Sequence, residues 1–353
     1  MAAMSARWRM DGGGGDIGGG GAGAGGGCSG DIVHRLLASH EPSVRFKVRV
    51  GVLGESFGSP EMMALREEIR GSSRVRDLLS ERGADGRLPR HAYAKWRGSH
   101  WVLATLADIG YPPGDRSLEP LREHVFDWLF SDGHWRGIRA IDGRVRRCAS
   151  QEANAVYATL KLELADERTD TLAERLAGWQ WPDGGWNCDK RPEAVNSSFM
   201  ESLIPLRALA LHARLTGSAR SYEAAERAAD IFLKRRMFRR QADGTVIQPS
   251  FALLHYPCYW HYDILFGLKV MAEAGFLGDE RCSEALDLLE SKRLLDGGFP
   301  AEGRYYRRVP PHDARYLRGS GFEPVDWGPT GRRRANEWVS ADALAVLRAA
   351  GRV

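Results

Sequence analysis

The side chains best suited to acid–base chemistry are His261, Asp263 and Glu152. A histidine exchanges protons near neutral pH, and a nearby carboxylate can orient it or, with a raised pKa, donate a proton itself. On a helix, positions i and i+2 lie on different faces, so at most one of His261 and Asp263 faces a common cavity squarely. A histidine satisfied within the core is the alternative for His261. For Glu152 the alternative is a carboxylate that the dipole of a helix start favours.

A metal site is the second chemistry that residue spacing suggests. His255, Cys258 and His261 are spaced by three residues, and Cys188 with Asp189 precedes a different apolar segment. Zinc held by Cys188 or Asp189 together with His261 would use ligand types that zinc accepts. The pattern matches no standard zinc spacing, and a solitary intracellular cysteine is usually inert packing. The sequence therefore predicts no metal and no other cofactor, with zinc kept as the alternative.

Aromatic and polar side chains cluster at the starts of the apolar segments, which favours a ligand-binding cavity. A buried polar group without a partner costs about 1–3 kcal/mol, so such groups should pair with one another or line a wet or ligand-filled space. Aromatic rings beside them suit an apolar or cationic ligand. The predicted ligand-binding residues on these segments are Trp96, His100, Trp101, Asn154, Tyr157, Asn196, Phe199, Tyr259, Trp260, Glu337 and Trp338.

A long segment rich in arginine, tyrosine and proline, residues 300–334, interrupts the pattern near the end of the chain. A loop of this length within a compact domain is often a lid over a site. Its paired Arg307 and Arg308 are predicted to hold a diphosphate or carboxylate, because guanidinium groups bind such anions through two hydrogen bonds. A solvated surface loop is the alternative.

The segments that must position these residues alternate in character. Amphipathic segments with one charged face end in glycine–aromatic turns, and segments that are apolar over most of their surface follow. A helix of the second kind is buried on both sides, and a helix of the first kind covers it. The pattern repeats about every 45–60 residues, too long and irregular for tetratricopeptide or ankyrin arrays. It predicts an all-α fold in which inner and outer helices close into a double ring, an α/α toroid. An open superhelix of HEAT type is the alternative.

Composition sets the remaining bounds. The chain has 353 residues, 43% of them hydrophobic and 27% charged, which is typical of a soluble globular protein. The net charge of +4 is too small to indicate nucleic-acid binding, and no apolar run approaches the roughly 18 residues of a membrane span. Five scattered cysteines indicate reduced thiols and a cytoplasmic location. Glycine-rich residues 1–30 are predicted to be disordered and to contain no secretory signal. Residues 31–353 are predicted to form a single toroid domain.

The turn from Gln180 to Trp186, QWPDGGW, carries a family resemblance. It is similar to the Gln-x-x-x-Gly-x-Trp repeat of squalene and oxidosqualene cyclases. Degenerate copies stand at residues 131–135 and 296–300. Two further segments, residues 196–206 and 261–268, resemble helices of protein prenyltransferase β subunits, which share the α/α toroid. The resemblance covers roughly residues 83–351 and implies a ring of helices around a central cavity.

The catalytic motifs of these families are not carried over. Prenyltransferases bind zinc with an aspartate, a cysteine two residues later and a histidine, and the matching positions here are Ala194, Asn196 and His261. Neither alanine nor asparagine replaces a carboxylate or thiolate on zinc. The Asp-x-Asp-Asp acid of class II cyclases and the Asp-Asp-x-x-Asp diphosphate motif are both absent from the sequence.

The resemblance therefore implies a cyclase- or prenyltransferase-like protein whose central hydrophobic cavity binds or acts on an isoprenoid or other apolar small molecule. Whether it is an enzyme, either a terpenoid cyclase-like isomerase or lyase or a zinc-independent transferase, stays open. One alternative is a non-catalytic toroid that binds a partner, which a cavity filled by its own side chains would favour. Another is a toroid enzyme acting on polysaccharide, which a shallow groove with rows of exposed tryptophan would favour.

Overall fold

The computed structural model describes residues 27–308 and 320–353, which form an all-α fold. Strands are confined, within these residues, to two short pairs. The all-α class predicted from the sequence is confirmed. Of the predicted disordered segment 1–30, residues 1–26 lie outside the described residues, as do residues 309–319 of the long loop. A helix already begins at Gly27, earlier than the predicted start of order.

The helices are joined by connections that range from a few residues to the long segment before the last helix. They are α1 (Gly27–Leu37), α2 (Pro42–Gly51), α3 (Pro60–Arg70), α4 (Ser73–Leu79), α5 (Ser99–Ile109), α6 (Glu119–Leu129), α7 (Asp132–Arg136), α8 (Ser150–Lys161), α9 (Glu167–Trp179), α10 (Phe199–Thr216), α11 (Ala219–Leu233), α12 (Ile264–Glu273), α13 (Ser283–Glu290) and α14 (Glu337–Ala349). Across the described part of the chain, none of them combines the length and apolar character needed to cross a membrane.

Two small strand pairs complete the secondary structure of the described residues. Strand β1 (Arg139–Ile141) pairs antiparallel with β2 (Arg144–Arg146). Strand β3 (Arg307–Arg308) pairs in parallel with β4 (Phe322–Glu323), so the two ends of the long loop meet.

Local sequence signals account for several helix boundaries. Pro42 and Pro60 stand in the first turns of α2 and α3, where a missing N–H costs nothing. Gly110 and Gly217 end α5 and α10 with left-handed φ values of 87° and 75°, which glycine adopts without steric cost. The backbone limits of these prolines and glycines therefore account for where the helices begin and end.

Two inner segments become helical later than their apolar patterns predict. Helix α12 begins at Ile264 because Asp263 is its N-cap and accepts the backbone N–H of Phe266 at 2.8 Å. Helix α5 begins at Ser99. At the preceding Gly98, a Cβ would lie 2.3 Å from the carbonyl oxygen of Ala92, so residues 91–98 fold into a tight non-helical turn. The side chains just before these helices therefore lie on loops.

Six helices are buried over much of their surface and pack in a closed order. Helix α10 has 14 buried residues among 18, whereas the amphipathic α9 has four among 13, which separates inner from outer helices. The inner helix α2 packs against α5, α5 against α8, α8 against α10, α10 against α12, α12 against α14, and α14 again against α2. Helices α3 and α11 pack mainly against one inner helix of this series, and α6, α9 and α13 each pack against two consecutive ones.

The turn that carries the family resemblance joins three helices. The Gln180 side chain donates to the carbonyl oxygens of Gly184 and Ala224, both at 2.7 Å. Trp186 is buried and its indole N–H donates to Leu176 at 2.9 Å, while its backbone N–H donates to Ser202 at 3.1 Å. The turn thereby fixes the end of α9 against α11 and the start of α10.

Residues 296–300 repeat this geometry. Gly297 has a φ of 80°, as Gly184 has a φ of 103°. The backbone N–H of Phe299 donates to Ser340 of α14 at 2.8 Å, the counterpart of the Trp186–Ser202 bond. The resemblance of residues 296–300 to the QWPDGGW turn therefore extends to its hydrogen bonding.

Residues 131–135 do not repeat it, which corrects the expectation of a turn there. They lie in and beside α7, whose N-cap Ser131 accepts the backbone N–H of His134 at 3.2 Å. His134 stands where the first turn has Gly185, and a Cβ at Gly185 would lie 2.4 Å from the Ser202 hydroxyl. A histidine at this position is incompatible with the tight turn.

Candidate functional site

A cavity lies between inner helices α5, α8, α10, α12 and α14 and the loop of residues 255–259; we call it the central pocket. Its volume is about 60 Å³. The lining residues are Trp101, Ala104, Thr105, Asp108, Asn154, Tyr157, Arg207, His255, Tyr256, Pro257, Cys258, Tyr259, Leu265, Phe266, Lys269 and Asp342. One water-sized group needs about 10–15 Å³ by this measure, so the pocket has room for roughly four to six such groups.

Four charged side chains from four inner helices form a closed square at one side of the pocket. Lys47 donates to Asp108 at 3.1 Å and to Asp342 at 2.9 Å. Lys269 donates to the same two carboxylates, at 2.8 Å and 3.2 Å. The side chains are 8–20% exposed, so these are largely buried ion pairs. The square therefore connects α2, α5, α12 and α14 by electrostatic contacts.

Arg207 extends the square to α10. Its guanidinium donates to Asp108 at 2.8 Å and forms a two-point contact with Glu273 at 2.6 and 2.8 Å. The same group lies 3.9 Å from the ring centre of Tyr157. Burial alone would raise the pKa of Asp108, but the attraction of Lys269, Lys47 and Arg207 outweighs it and holds this pKa well below its usual value.

We call Lys47, Lys269, Arg207, Asp108, Asp342 and Glu273 the ion network. Its three cations and three carboxylates balance. Such a network polarises a bound molecule without presenting net charge, and its cost of burial is met only while every member keeps its partners.

Aromatic rings line the pocket beside the ion network. They belong to Trp101, Tyr157, Tyr256, Tyr259 and Phe266. The pocket therefore combines aromatic surface with a charged floor formed by the ion network, a composition that suits a small molecule with one apolar and one polar end.

His255 carries the acid–base geometry that the sequence assigns to His261. Its Nδ1 lies 3.1 Å from Asp263, whose same oxygen accepts the His255 backbone N–H at 2.7 Å and lies 3.4 Å from the Cys258 thiol. A carboxylate on Nδ1 orients the ring and leaves Nε2 for proton exchange. His255 lines the pocket, so the dyad lies at its edge.

His261 belongs instead to a column of stacked rings. Its ring lies 3.8 Å from Tyr305 and 4.1 Å from Trp260, and Tyr305 in turn stacks on His255 at 4.1 Å. Burial lowers the pKa of His261 to about 4, so it is neutral at pH 7. The structure thus places Asp263 against His255, and His261 and Trp260 behind that pair.

Trp96 and Tyr259 form a second stack at the rim of the pocket. Their ring centres are 3.9 Å apart and nearly parallel. The hydroxyl of Tyr259 donates to the buried Glu323 of β4, which also accepts the backbone N–H of Val325 at 3.0 Å. Burial raises the pKa of Glu323 to about 7, and the bond from Tyr259 offsets this only in part.

The raised pKa of Glu323 predicts a pH-dependent stability. The ordinary value is 4.5, so between pH 4.5 and about 7 the folded chain binds more protons than the unfolded chain. The stabilisation is complete below the unfolded value and is lost as pH rises through about 7. Across this window the wild type should lose on the order of 3 kcal/mol of unfolding free energy relative to Glu323→Gln. Urea unfolding at several pH values measures this difference, and parallel pH profiles would contradict it.

Glu152 lies away from the central pocket. It is fully buried on α8 and pairs with His134 at 2.6 Å, and Arg147 contacts the same histidine. His100 is buried nearby, and burial lowers its pKa to about 3. In this structure Glu152 is a paired core carboxylate.

The other predicted ligand residues lie in the pocket, in the core or on the surface. Trp101, Asn154, Tyr157 and Tyr259 line the pocket. Phe199 packs among aromatic rings of the core, and Trp338 stacks on Tyr256. Glu337 accepts a hydrogen bond from the hydroxyl of Ser39. The backbone carbonyl of Asn196 accepts a hydrogen bond from the side chain of Asn187. Arg307 and Arg308 lie exposed on β3, where Arg308 pairs with Asp326 at 3.1 Å.

Sequence reasoning missed the charged floor and the role of His255. Asp108, Arg207 and Lys269 each interrupt an apolar helix with a charge, and that is the signal that could have found them.

The His255–Cys258–His261 spacing, the alternative zinc pattern in the sequence, does not bring its side chains to one point. His261 Nδ1 lies 3.1 Å from the backbone carbonyl of Cys258, while Cys258 and His255 both contact Asp263. Among the described residues, three side chains of metal-ligand type converge at Cys148, Cys188 and Glu201.

No protein-family model matches this sequence. No curated protein matches it either. The search of solved structures also gives no match.

Proposed function

We propose that the chain is an α/α toroid whose central pocket binds, and acts on, a small molecule with an apolar and a polar end. The closed packing order from α2 through α14 and back to α2 supports the ring, because an open superhelix would keep its first and last helices apart. The matching hydrogen bonds at Trp186 and Phe299 support a repeated structural unit.

The observation that carries this proposal is the lining of the central pocket. Aromatic rings, including those of Trp101 and Phe266, line it together with the charged side chains of Asp108, Lys269 and Asp342. Aromatic surface favours burial of an apolar group, and the floor offers hydrogen-bond donors and acceptors to a polar one.

Pocket size narrows the ligand class. A cavity of about 60 Å³ takes roughly four to six water-sized groups, which matches a single five-carbon isoprenoid unit with its alcohol oxygen. Pockets for drug-sized ligands measure about 300–1,000 Å³, so this cavity favours a smaller molecule. The family resemblance favours an isoprenoid as the apolar end.

The proposed chemistry is proton transfer by His255. In this proposal Asp263 on Nδ1 orients the imidazole, and Nε2 exchanges the proton. The backbone of Gly303 lies against that nitrogen, since a Cβ there would lie 2.9 Å from Nε2. The dyad takes the place of the missing Asp-x-Asp-Asp acid in this proposal.

A non-catalytic toroid is the second candidate. The ion network favours it, because all six charges are already paired with one another and keep the pocket small. The polysaccharide alternative gains no support: Trp135 is the exposed tryptophan among the described residues, so no row of exposed rings forms there.

Ligand-observed NMR tests the proposal. Saturation transfer from the protein to dimethylallyl alcohol, and separately to its diphosphate, is expected for the wild type. Ala104→Phe fills the pocket with a ring and should weaken binding at least about tenfold, a loss of about 1.4 kcal/mol. Ala242→Phe, on an exposed turn, is the matched control and should bind as the wild type does. Equal transfer to all three proteins would contradict a central site.

A further inference from the structure

Two cysteines and a buried glutamate converge outside the central pocket. The Sγ atoms of Cys148 and Cys188 and a carboxylate oxygen of Glu201 all lie within 4.8 Å of one another. The measured separation of Cys188 Sγ from Glu201 Oε1 is 3.9 Å. None of the three lines the central pocket.

We propose that Cys148, Cys188 and Glu201 form a zinc site with one position open to water or an external ligand. Zinc–sulfur distances of about 2.3 Å and zinc–oxygen distances of about 2.0–2.2 Å place tetrahedral ligand atoms roughly 3.6–3.8 Å apart. The separation of Cys188 from Glu201 already fits this geometry. The proposal does not depend on ligand binding in the central pocket.

The fold places these ligands from three separate segments. Cys148 stands two residues before α8, Cys188 follows the QWPDGGW turn, and Glu201 lies in the first turn of α10. They are not the positions that match the prenyltransferase zinc ligands, of which Ala194 and Asn196 cannot bind zinc. The site is therefore particular to this chain's own cysteines.

Glu201 is oriented for the role. Its Oε2 accepts the backbone N–H of Ser150 at 3.0 Å, which leaves Oε1 facing Cys188. Such a bond to the far oxygen of a carboxylate holds the near oxygen toward a metal. Within residues 27–308 and 320–353, no lysine, arginine or histidine forms an ion pair with this buried carboxylate. A bound cation would supply the missing charge.

The thiols are accessible. Both cysteines are partly exposed, which gives an ion a path to the site. Soft thiolates with one carboxylate favour zinc over magnesium or calcium, which prefer oxygen ligands alone.

Metal analysis of the full chain, purified under reducing conditions and exposed to zinc chloride, tests the site. We expect one zinc per chain after gel filtration, and a thiolate-to-cobalt charge-transfer band when cobalt replaces zinc. Cys148→Ser and Cys188→Ser should each abolish the band. Glu201→Gln should retain the thiolate-to-cobalt band. It should weaken zinc binding about 10–100-fold, as measured by competition with a chelator.

Cys282→Ser is the matched control, because Cys282 is a buried cysteine outside the cluster. It should retain zinc and the cobalt band, with circular dichroism verifying the fold of every variant. Zinc that stays bound in both Cys148→Ser and Cys188→Ser would mean an adventitious ion and would overturn the proposal. A metal-free reduced protein that forms a Cys148–Cys188 disulfide on oxidation would overturn it in favour of a redox pair.

Discussion

Replacing Asp108 with alanine is expected to lower the free energy of unfolding by about 3–5 kcal/mol. Asp108 accepts from Lys47, Lys269 and Arg207, so its loss leaves three buried cations facing two carboxylates. The remaining charges are then under-compensated in a region with little water. Chemical denaturation with urea measures the change, provided that the slope of the transition is unchanged.

A surface ion pair of similar length provides the control. Asp287 lies 2.6 Å from Arg352 but is 68% exposed. Because water screens such pairs, Asp287→Ala should cost no more than about 1 kcal/mol. Equal losses for Asp108→Ala and Asp287→Ala would show that the ion network does not hold the inner helices together.

Replacing Trp186 with alanine is expected to have an effect of the same size, about 3–5 kcal/mol, because it empties a large buried volume. Trp186 is 1% exposed, and its indole N–H bond to Leu176 joins the turn to the end of α9. Its loss also leaves that carbonyl without its partner. Thermal and urea unfolding should both register the change.

Trp135 is the matched control for Trp186. Trp135 is 41% exposed and lies in α7, the segment whose sequence resembles a degenerate copy of the QWPDGGW turn. Trp135→Ala should therefore change stability far less, by roughly 1 kcal/mol or less. If both variants lose the same free energy of unfolding, Trp186 does not stabilise the packing of the helices that the QWPDGGW turn joins.

Much of the helical order could be predicted from local sequence. The charged face of α9 and the continuous apolar surface of α10 are visible as periodicity, and Pro60 and Gly217 mark boundaries through their own backbone limits. The late start of α12 was missed because an apolar pattern runs through residues 259–263. Asp263 ends the loop by capping α12, and its position depends on its contacts with His255. The apolar sequence pattern carries no information about those contacts.

The site depends on contacts that no local pattern encodes. Lys47 and Asp342 are 295 residues apart, and they meet because α14 packs against α2. A lone charge in an apolar helix shows that a partner is needed but not which residue supplies it. The same limit explains why Asp263 was associated with its neighbour His261 when the fold brings it to His255.

Crystallography of the protein soaked with dimethylallyl alcohol tests the central claim most directly. The structure predicts density in the central pocket, with the methyl groups against Trp101 and Phe266 and the hydroxyl toward Lys269 or Asp342. It predicts no such density in Ala104→Phe. Density confined to another surface, or a pocket that stays closed by its own side chains at saturating ligand, would contradict the assignment of this pocket as the functional site.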